Sequence, residues 1–135
     1  MTGRIAAFRA KDKTRYGVVT DEGIVDLTEI AGFPDLQAVV SAGALADVIA
    51  LADGRVPDFR IEDVTFVIPV AAPEKIICVG VNFPDRNAEY KDGTSQPKHM
   101  SLFPRFPRSF TGHGRPLIRP PENHTLDYEG EVAIV

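Results

Sequence analysis

The chain has 135 residues, which is enough for one ordinary domain or for a small domain together with part of another. Its composition, with 44% hydrophobic and 25% charged residues, is that of a soluble globular protein, and no apolar run approaches the ~20 residues of a membrane span. The formal net charge of −4 argues against a general nucleic-acid-binding protein.

Residues 1–70 predict a small α+β domain. The N-terminus carries charged residues where a secretory signal peptide needs an apolar core, so we expect a cytoplasmic protein. Two apolar faces at helical spacing predict two short helices within residues 34–53. Three short β-favouring runs before them indicate a meander of strands, at residues 3–9, 15–20 and 24–27.

A domain boundary is expected near Val70–Pro73, so that residues 71–135 form a second unit. This unit opens with a continuous apolar run around Cys78, which predicts a buried strand. Cys78 is the only cysteine, which excludes an internal disulfide, and its position favours packing over a reactive thiol. Six prolines within residues 94–124 then predict a long irregular segment, and such segments are often functional.

The final ten residues, 126–135, are predicted to form a strand, and this strand is the most informative part of the sequence. Asp127, Glu129 and Glu131 alternate along it and therefore share one face. Clustered carboxylates repel each other, and a hard divalent cation removes that repulsion. Ligation by oxygen alone indicates Mg²⁺, Mn²⁺ or Ca²⁺ rather than zinc or copper. On these residues alone, an edge strand with a solvated acidic face is the alternative.

The stretch KIICVGVNF at residues 75–83 resembles the sequence that opens the catalytic domain of the fumarylacetoacetate hydrolase family. The resemblance covers about residues 73–135, and residues 1–70 look like the short N-terminal domain of many bacterial members. Further matches follow in the family's order, at Asp85, Ala88-Glu89, Pro97, Leu102-Phe103, Arg105, Ser109, Gly112, Pro116 to Pro120, and Leu126 to Glu131.

The resemblance implies a mixed β-roll catalytic domain, of which residues 71–135 would be the first half. It also implies that Glu129 and Glu131 bind the metal, Mg²⁺ or else Mn²⁺ or Ca²⁺. The family's third ligand, an aspartate, would lie beyond Val135. Because the sequence stops inside the predicted strand, we expect a truncated chain that is inactive alone.

The function implied by the resemblance is that of a metal-dependent enzyme, acting on small 2-oxo or diketo acids through a metal-stabilised enolate. Isomerisation, hydration or dehydration, and hydrolysis of a C–C bond are the outcomes that the family allows, and the fold does not choose among them. Family members are commonly dimers, so a homodimer is expected. A non-catalytic binding or oligomerisation domain that keeps the same fold is the alternative function.

The sequence departs from the family at a His-x-x-Glu dyad that its hydrolases and decarboxylases often carry. Glu89 matches the glutamate of this dyad, but Arg86 occupies the histidine position. Arginine stays protonated and cannot act as a general base, so Arg86 is predicted to bind a substrate carboxylate, to stabilise an enolate, or to pair with Glu89. His113, which lies between two glycines, is a candidate substitute for the histidine or an ordinary loop residue. Arg105 is a candidate for binding the oxo acid.

Overall fold

The computed structural model describes residues 3–80 and 98–135, and it contains two compact units. The first unit consists of Met1–Ala71 and Thr111–Val135, and the second consists of Ala72–Phe110. None of the helices in the described part of the chain has the length and apolar character that crossing a bilayer requires. The cytoplasmic location stays a prediction.

A four-stranded antiparallel sheet forms the centre of the first unit. Its strands lie in the order β3-β2-β1-β4. Positive φ angles of 49° at Lys11 and 61° at Asp12 form a two-residue turn between β1 and β2, of the type whose twist matches a hairpin. The three strands predicted near the N-terminus are confirmed, and the sheet consists of β1 (Arg4–Ala10), β2 (Lys13–Val19), β3 (Ile24–Asp26) and β4 (Thr65–Phe66).

Two short helices, α1 (Leu36–Ser41) and α2 (Leu45–Ala50), confirm the helices predicted within residues 34–53. The side chain of Asp35 caps α1 by accepting a hydrogen bond of 2.8 Å from the backbone N–H of Ala38. Gly43, with φ at +65°, follows the end of α1 in the left-handed conformation that glycine tolerates best. These local signals are short-range, which is why the sequence alone indicates them.

The hydrophobic core consists of two clusters, and β1 contributes to both because its side chains alternate between the faces of the sheet. The larger cluster packs the helices against the sheet, with Ala7, Tyr16, Val18, Val25, Leu27, Leu36, Val39 and Val48 buried. The smaller cluster buries Phe8, Ala10 and Ile24 beneath the chain that contains a 3₁₀ turn at Ile61–Asp63. This mixture of sheet and helix is the α+β architecture that the sequence predicts.

An ion pair between Arg15 of β2 and Asp26 of β3 is largely withdrawn from solvent. The two side chains retain 15% and 12% of their accessible surface, and Arg15 Nη1 donates to Asp26 Oδ2 at 2.5 Å. Asp26 Oδ1 accepts two further hydrogen bonds from Thr28, from its backbone N–H at 3.0 Å and its hydroxyl at 2.6 Å. The guanidinium also lies 5.7 Å from the centre of the Phe59 ring. Asp26 therefore ties β2, β3 and the chain after β3 together.

The second unit contains an antiparallel pair of strands, β5 (Ile77–Gly80) and β6 (Ser101–Pro104), followed by a 3₁₀ turn at Pro107–Ser109. Cys78 lies opposite Phe103 and is half-buried rather than fully buried as predicted. A two-stranded sheet has little to cover its faces, and Ile77 and Leu102 are exposed for the same reason. The predicted strand at this place is confirmed, and its predicted complete burial is wrong.

The strand predicted over residues 126–135 is not formed in this structure. These residues have no assigned strand or helix, and all ten are exposed. Among them, the apolar side chains Val132 and Ile134 are 94% and 98% exposed. A strand needs a neighbour to satisfy its backbone hydrogen bonds, and no strand of the described residues pairs with this segment.

We predict that Asp26→Asn lowers the free energy of unfolding by on the order of 3 kcal/mol, because Arg15 keeps a largely buried charge without its counter-charge. The introduced amide retains an oxygen that can accept the Thr28 hydrogen bonds, so the substitution isolates the charge. The matched control is Asp21→Asn, which breaks the exposed pair with Arg4 and should cost less than about 1 kcal/mol. Denaturant unfolding followed by circular dichroism measures both, and equal losses would contradict a special role for the buried pair.

A second prediction concerns Tyr16, whose hydroxyl donates to the carbonyl oxygen of Phe33 at 3.0 Å. Burial raises the pKa of Tyr16 above its ordinary value of 10.0. The hydrogen bond to Phe33 lowers this pKa, and the negative charges of Asp26 and Asp35 raise it further. Because the pKa of Tyr16 is higher in the folded state, the neutral hydroxyl makes its full contribution to the free energy of unfolding below about pH 10. That contribution is lost as the pH rises through the pKa of the folded state. Tyr16→Phe should therefore flatten the alkaline decline in unfolding free energy, whereas Tyr128→Phe, at an exposed ring, should not.

Candidate metal and substrate site

The two glutamates predicted to bind a metal, Glu129 and Glu131, belong to the first unit and are exposed. Local hydrogen bonds shape the chain just before them. Asn123 Oδ1 accepts from both the backbone N–H and the hydroxyl of Thr125, each at 2.9 Å. Asp127 Oδ1 accepts from the backbone N–H of Tyr128 at 2.8 Å. The carboxylate of Asp127 thus binds the backbone of the next residue.

The oxygen donors of Glu129 and Glu131 fit a hard divalent cation in kind, because carboxylates are the side chains that Mg²⁺ and Ca²⁺ prefer. They do not complete a site by themselves. Within residues 3–80 and 98–135, no three His, Cys, Asp or Glu side chains come together in a group that could hold a metal ion. Further oxygen ligands, from water, substrate or other side chains, would be needed around any ion held here.

Arg105, the candidate for substrate binding, lies in the second unit directly after β6. Its backbone N–H donates to the carbonyl oxygen of Ile76 at 3.1 Å, which extends the β5–β6 pairing by one step. Its guanidinium carbon lies 4.7 Å from the centre of the Phe103 ring. A guanidinium above an aromatic ring is attracted by the ring, and a guanidinium can also bind a carboxylate in bidentate fashion.

The neighbouring arginines have simpler surroundings. Arg108 is exposed within the 3₁₀ turn at Pro107–Ser109, which the Ser109 hydroxyl closes by donating to the carbonyl oxygen of Phe106 at 2.8 Å. Arg119 donates through Nη1 to the carbonyl oxygen of Asn123. This contact joins Arg119 to the backbone four residues later, which is a structural role.

His113, the candidate substitute for the family's histidine, lies in the first unit against the N-terminal sheet. Its ring meets Phe66 of β4 edge to face, with the ring centres 5.8 Å apart and an interplanar angle of 88°. Sequence reasoning did not identify Phe66 as a partner, although its position in the apolar run 64–68 could have marked it as a residue that packs. Arg86 and Glu89 lie outside the described residues.

Comparison with known proteins shows a match over the second part of the chain. Residues 75–135 match the family model described as fumarylacetoacetate (FAA) hydrolase C-terminal. The chain is similar to the mitochondrial oxaloacetate tautomerase Fahd2a of Rattus norvegicus, with 40% identity over 72 residues, which are 53% of this chain and 22% of that protein.

Two further relatives carry the same activity in their names. The chain is 36% identical over 80 residues to the oxaloacetate tautomerase YisK of Bacillus subtilis, which covers 57% of this chain and 26% of that protein. It is 33% identical over 81 residues to the human mitochondrial oxaloacetate tautomerase FAHD2A, which covers 60% of this chain and 25% of that protein. The match spans about a quarter of the length of these relatives. No solved structure matches the chain.

Proposed function

Because residues 75–135 match the fumarylacetoacetate hydrolase family model, we propose that the intact protein belongs to this family and is a metal-dependent enzyme acting on small 2-oxo acids. The reaction is keto–enol tautomerisation, and oxaloacetate or a similar dicarboxylic oxo acid is the substrate. The observation that carries this proposal is the family match over a segment that includes both Glu129 and Glu131, together with the activity named for three relatives.

The proposed cofactor is Mg²⁺, or Mn²⁺ or Ca²⁺ in its place, held by the carboxylates of Glu129 and Glu131. When bound, such an ion supplies Lewis-acid stabilisation of the negative charge that develops on a substrate oxygen. The two carboxylates serve to hold the ion and to leave room among its ligands for the oxygens of the substrate. This assignment follows from the donor chemistry and from the family's motif.

Tautomerisation breaks a C–H bond next to the carbonyl group and forms an O–H bond, so a side chain must accept and return one proton. We assign this transfer to Glu89, whose carboxylate can exist in both protonation states. Arg86 stays protonated and instead binds a substrate carboxylate. Arg105, stacked on Phe103, binds the second carboxylate that a dicarboxylic oxo acid carries.

The decisive test is Glu129→Gln and, separately, Glu131→Gln in the intact protein. Each should lower Mg²⁺-dependent tautomerisation of oxaloacetate about 100-fold or more, because a neutral amide is a poor ligand for a hard cation. Glu122→Gln, at an exposed carboxylate of the chain just before Glu129, is the matched control and should retain full turnover. Interconversion is followed by the absorbance of the enol, and Mg²⁺ binding by calorimetry.

Two results would overturn the assignment in different ways. Full turnover in both glutamate variants would remove Glu129 and Glu131 from the metal site. Calorimetric Mg²⁺ binding by the unsubstituted protein, with no conversion of oxaloacetate or related 2-oxo acids, would favour a non-catalytic domain of the same fold. The family resemblance also leads us to propose a homodimer, which sedimentation equilibrium of the intact protein measures.

Arg105 offers a prediction about substrate affinity. Arg105→Ala should raise KM about tenfold or more with little change in kcat, because a charged hydrogen bond to a carboxylate is present throughout the reaction. The fold should tolerate the change, since the hydrogen bond to Ile76 comes from the backbone N–H. Arg108→Ala, at the exposed arginine three residues later, should leave KM unaltered, and equal effects of the two variants would argue for general electrostatic attraction.

A further inference from the structure

We propose that the ring of His113 holds the turn Thr111–Arg115 against strand β4 at the edge of the N-terminal sheet. We call His113 the anchor of this turn. The sequence left this residue as a candidate substitute for the family's catalytic histidine or as an ordinary loop residue. The structure supports a packing role through three features, which are a close backbone approach, a closed turn and an aromatic contact. The inference concerns the fold of this chain and does not depend on the proposed function.

The first feature is the approach of Gly112 to β4. A Cβ atom placed on Gly112 would lie 3.4 Å from the carbonyl oxygen of Phe66 and 3.7 Å from the Cα of Val67. Both are ordinary van der Waals distances, so the turn lies directly against the backbone at Phe66 and Val67. β4 is short and lies at the edge of the sheet. The turn therefore packs against an edge strand.

The second feature is the turn itself. The backbone N–H of Arg115 donates to the carbonyl oxygen of Gly112 at 3.1 Å, and Gly114 has φ at +71°. A positive φ at the third residue of a closed four-residue turn is typical of a type II turn, in which glycine is favoured at that place. His113 thus occupies the second position, at the corner of the turn. With glycine on both sides, His113 lies at the corner of the turn, next to β4.

The third feature is the contact of the rings. The edge-to-face arrangement of His113 and Phe66 is one of the two geometries that aromatic pairs prefer. The same imidazole lines a cavity of about 290 Å³, whose other walls come from Ile5 to Ala7 of β1 and from Phe66, Val67 and Pro69. Apart from His113, the side chains that line this cavity are apolar, which suits a ring that packs.

The contact joins the part of the sequence that matches the family to the N-terminal part. The turn Thr111–Arg115 lies within residues 75–135, which match the family, whereas β4 lies outside them. The anchor therefore holds the start of the chain that leads to Glu129 and Glu131 against the N-terminal sheet. A proton carrier would lose its function on replacement by phenylalanine, but an anchor keeps its ring and its contact.

The test is a comparison of His113→Ala and His113→Phe in the intact protein. Hydrogen exchange of the Arg115 N–H reports the turn directly, and it should become about two- to tenfold faster in His113→Ala, as expected for the loss of one aromatic contact. His113→Phe should restore the exchange rate. His124→Ala, at an exposed histidine of the same unit, is the control and should leave it unchanged.

A double-mutant cycle with Phe66→Leu identifies the partner. In the Phe66→Leu background, His113→Ala should have less effect on Arg115 exchange than it has in the unsubstituted protein. If Phe66→Leu does not fold, the His113 variants alone decide the question. Unchanged Arg115 exchange in His113→Ala would overturn the anchor, and so would failure of His113→Phe to restore the exchange rate. Exchange is measured without substrate, so failure of the proposed function leaves this test intact.

Discussion

The pairing of β1 with β2 along seven residues of each strand is the interaction on which the described fold depends. Both faces of this hairpin are covered, one by the helices and the other by the chain around Phe59. Its outer edges then receive β3 on one side and β4 on the other. Because β4 contributes only two residues, its position depends on this hairpin, and the contact of Phe66 with His113 depends on β4 in turn.

Local signals identified most of the N-terminal part, because strand-favouring runs and apolar residues at helical spacing act within a few residues of each other. β4 was not predicted as a strand, although it lies in the apolar run 64–68, because its two residues are a strand only through pairing with Phe8 and Arg9. The opposite error occurred at residues 126–135, where strong alternation predicted a strand that does not form. Alternation describes which residues could share a face, but only a neighbouring strand can satisfy the backbone.

At the candidate site, too, the sequence indicates the types of residue but not their arrangement in space. The family resemblance identified Glu129 and Glu131 through their chemistry, yet convergence on one ion is a tertiary property that two nearby residues cannot supply. For His113 the sequence identified a residue between two glycines but not what it contacts. Its ring meets Phe66, a partner distant in sequence whose proximity only the folded sheet creates. The stacking of Arg105 on Phe103, by contrast, joins residues of one short segment.

Ion binding and burial at residues 126–135 are coupled by the physics of the segment. Exposed carboxylates such as Glu129 and Glu131 repel each other weakly, because water and salt screen them, and they gain little from a cation that must lose its own hydration. Covering Val132 and Ile134 would stabilise the segment by about 25 cal/mol for each Å² of apolar surface buried. The same cover would fix the backbone of the segment, so that less conformational entropy is lost when the two carboxylates bind one divalent ion. Whatever packs on the apolar side chains therefore also raises the affinity for the metal, and the ion favours that packing by the same free energy.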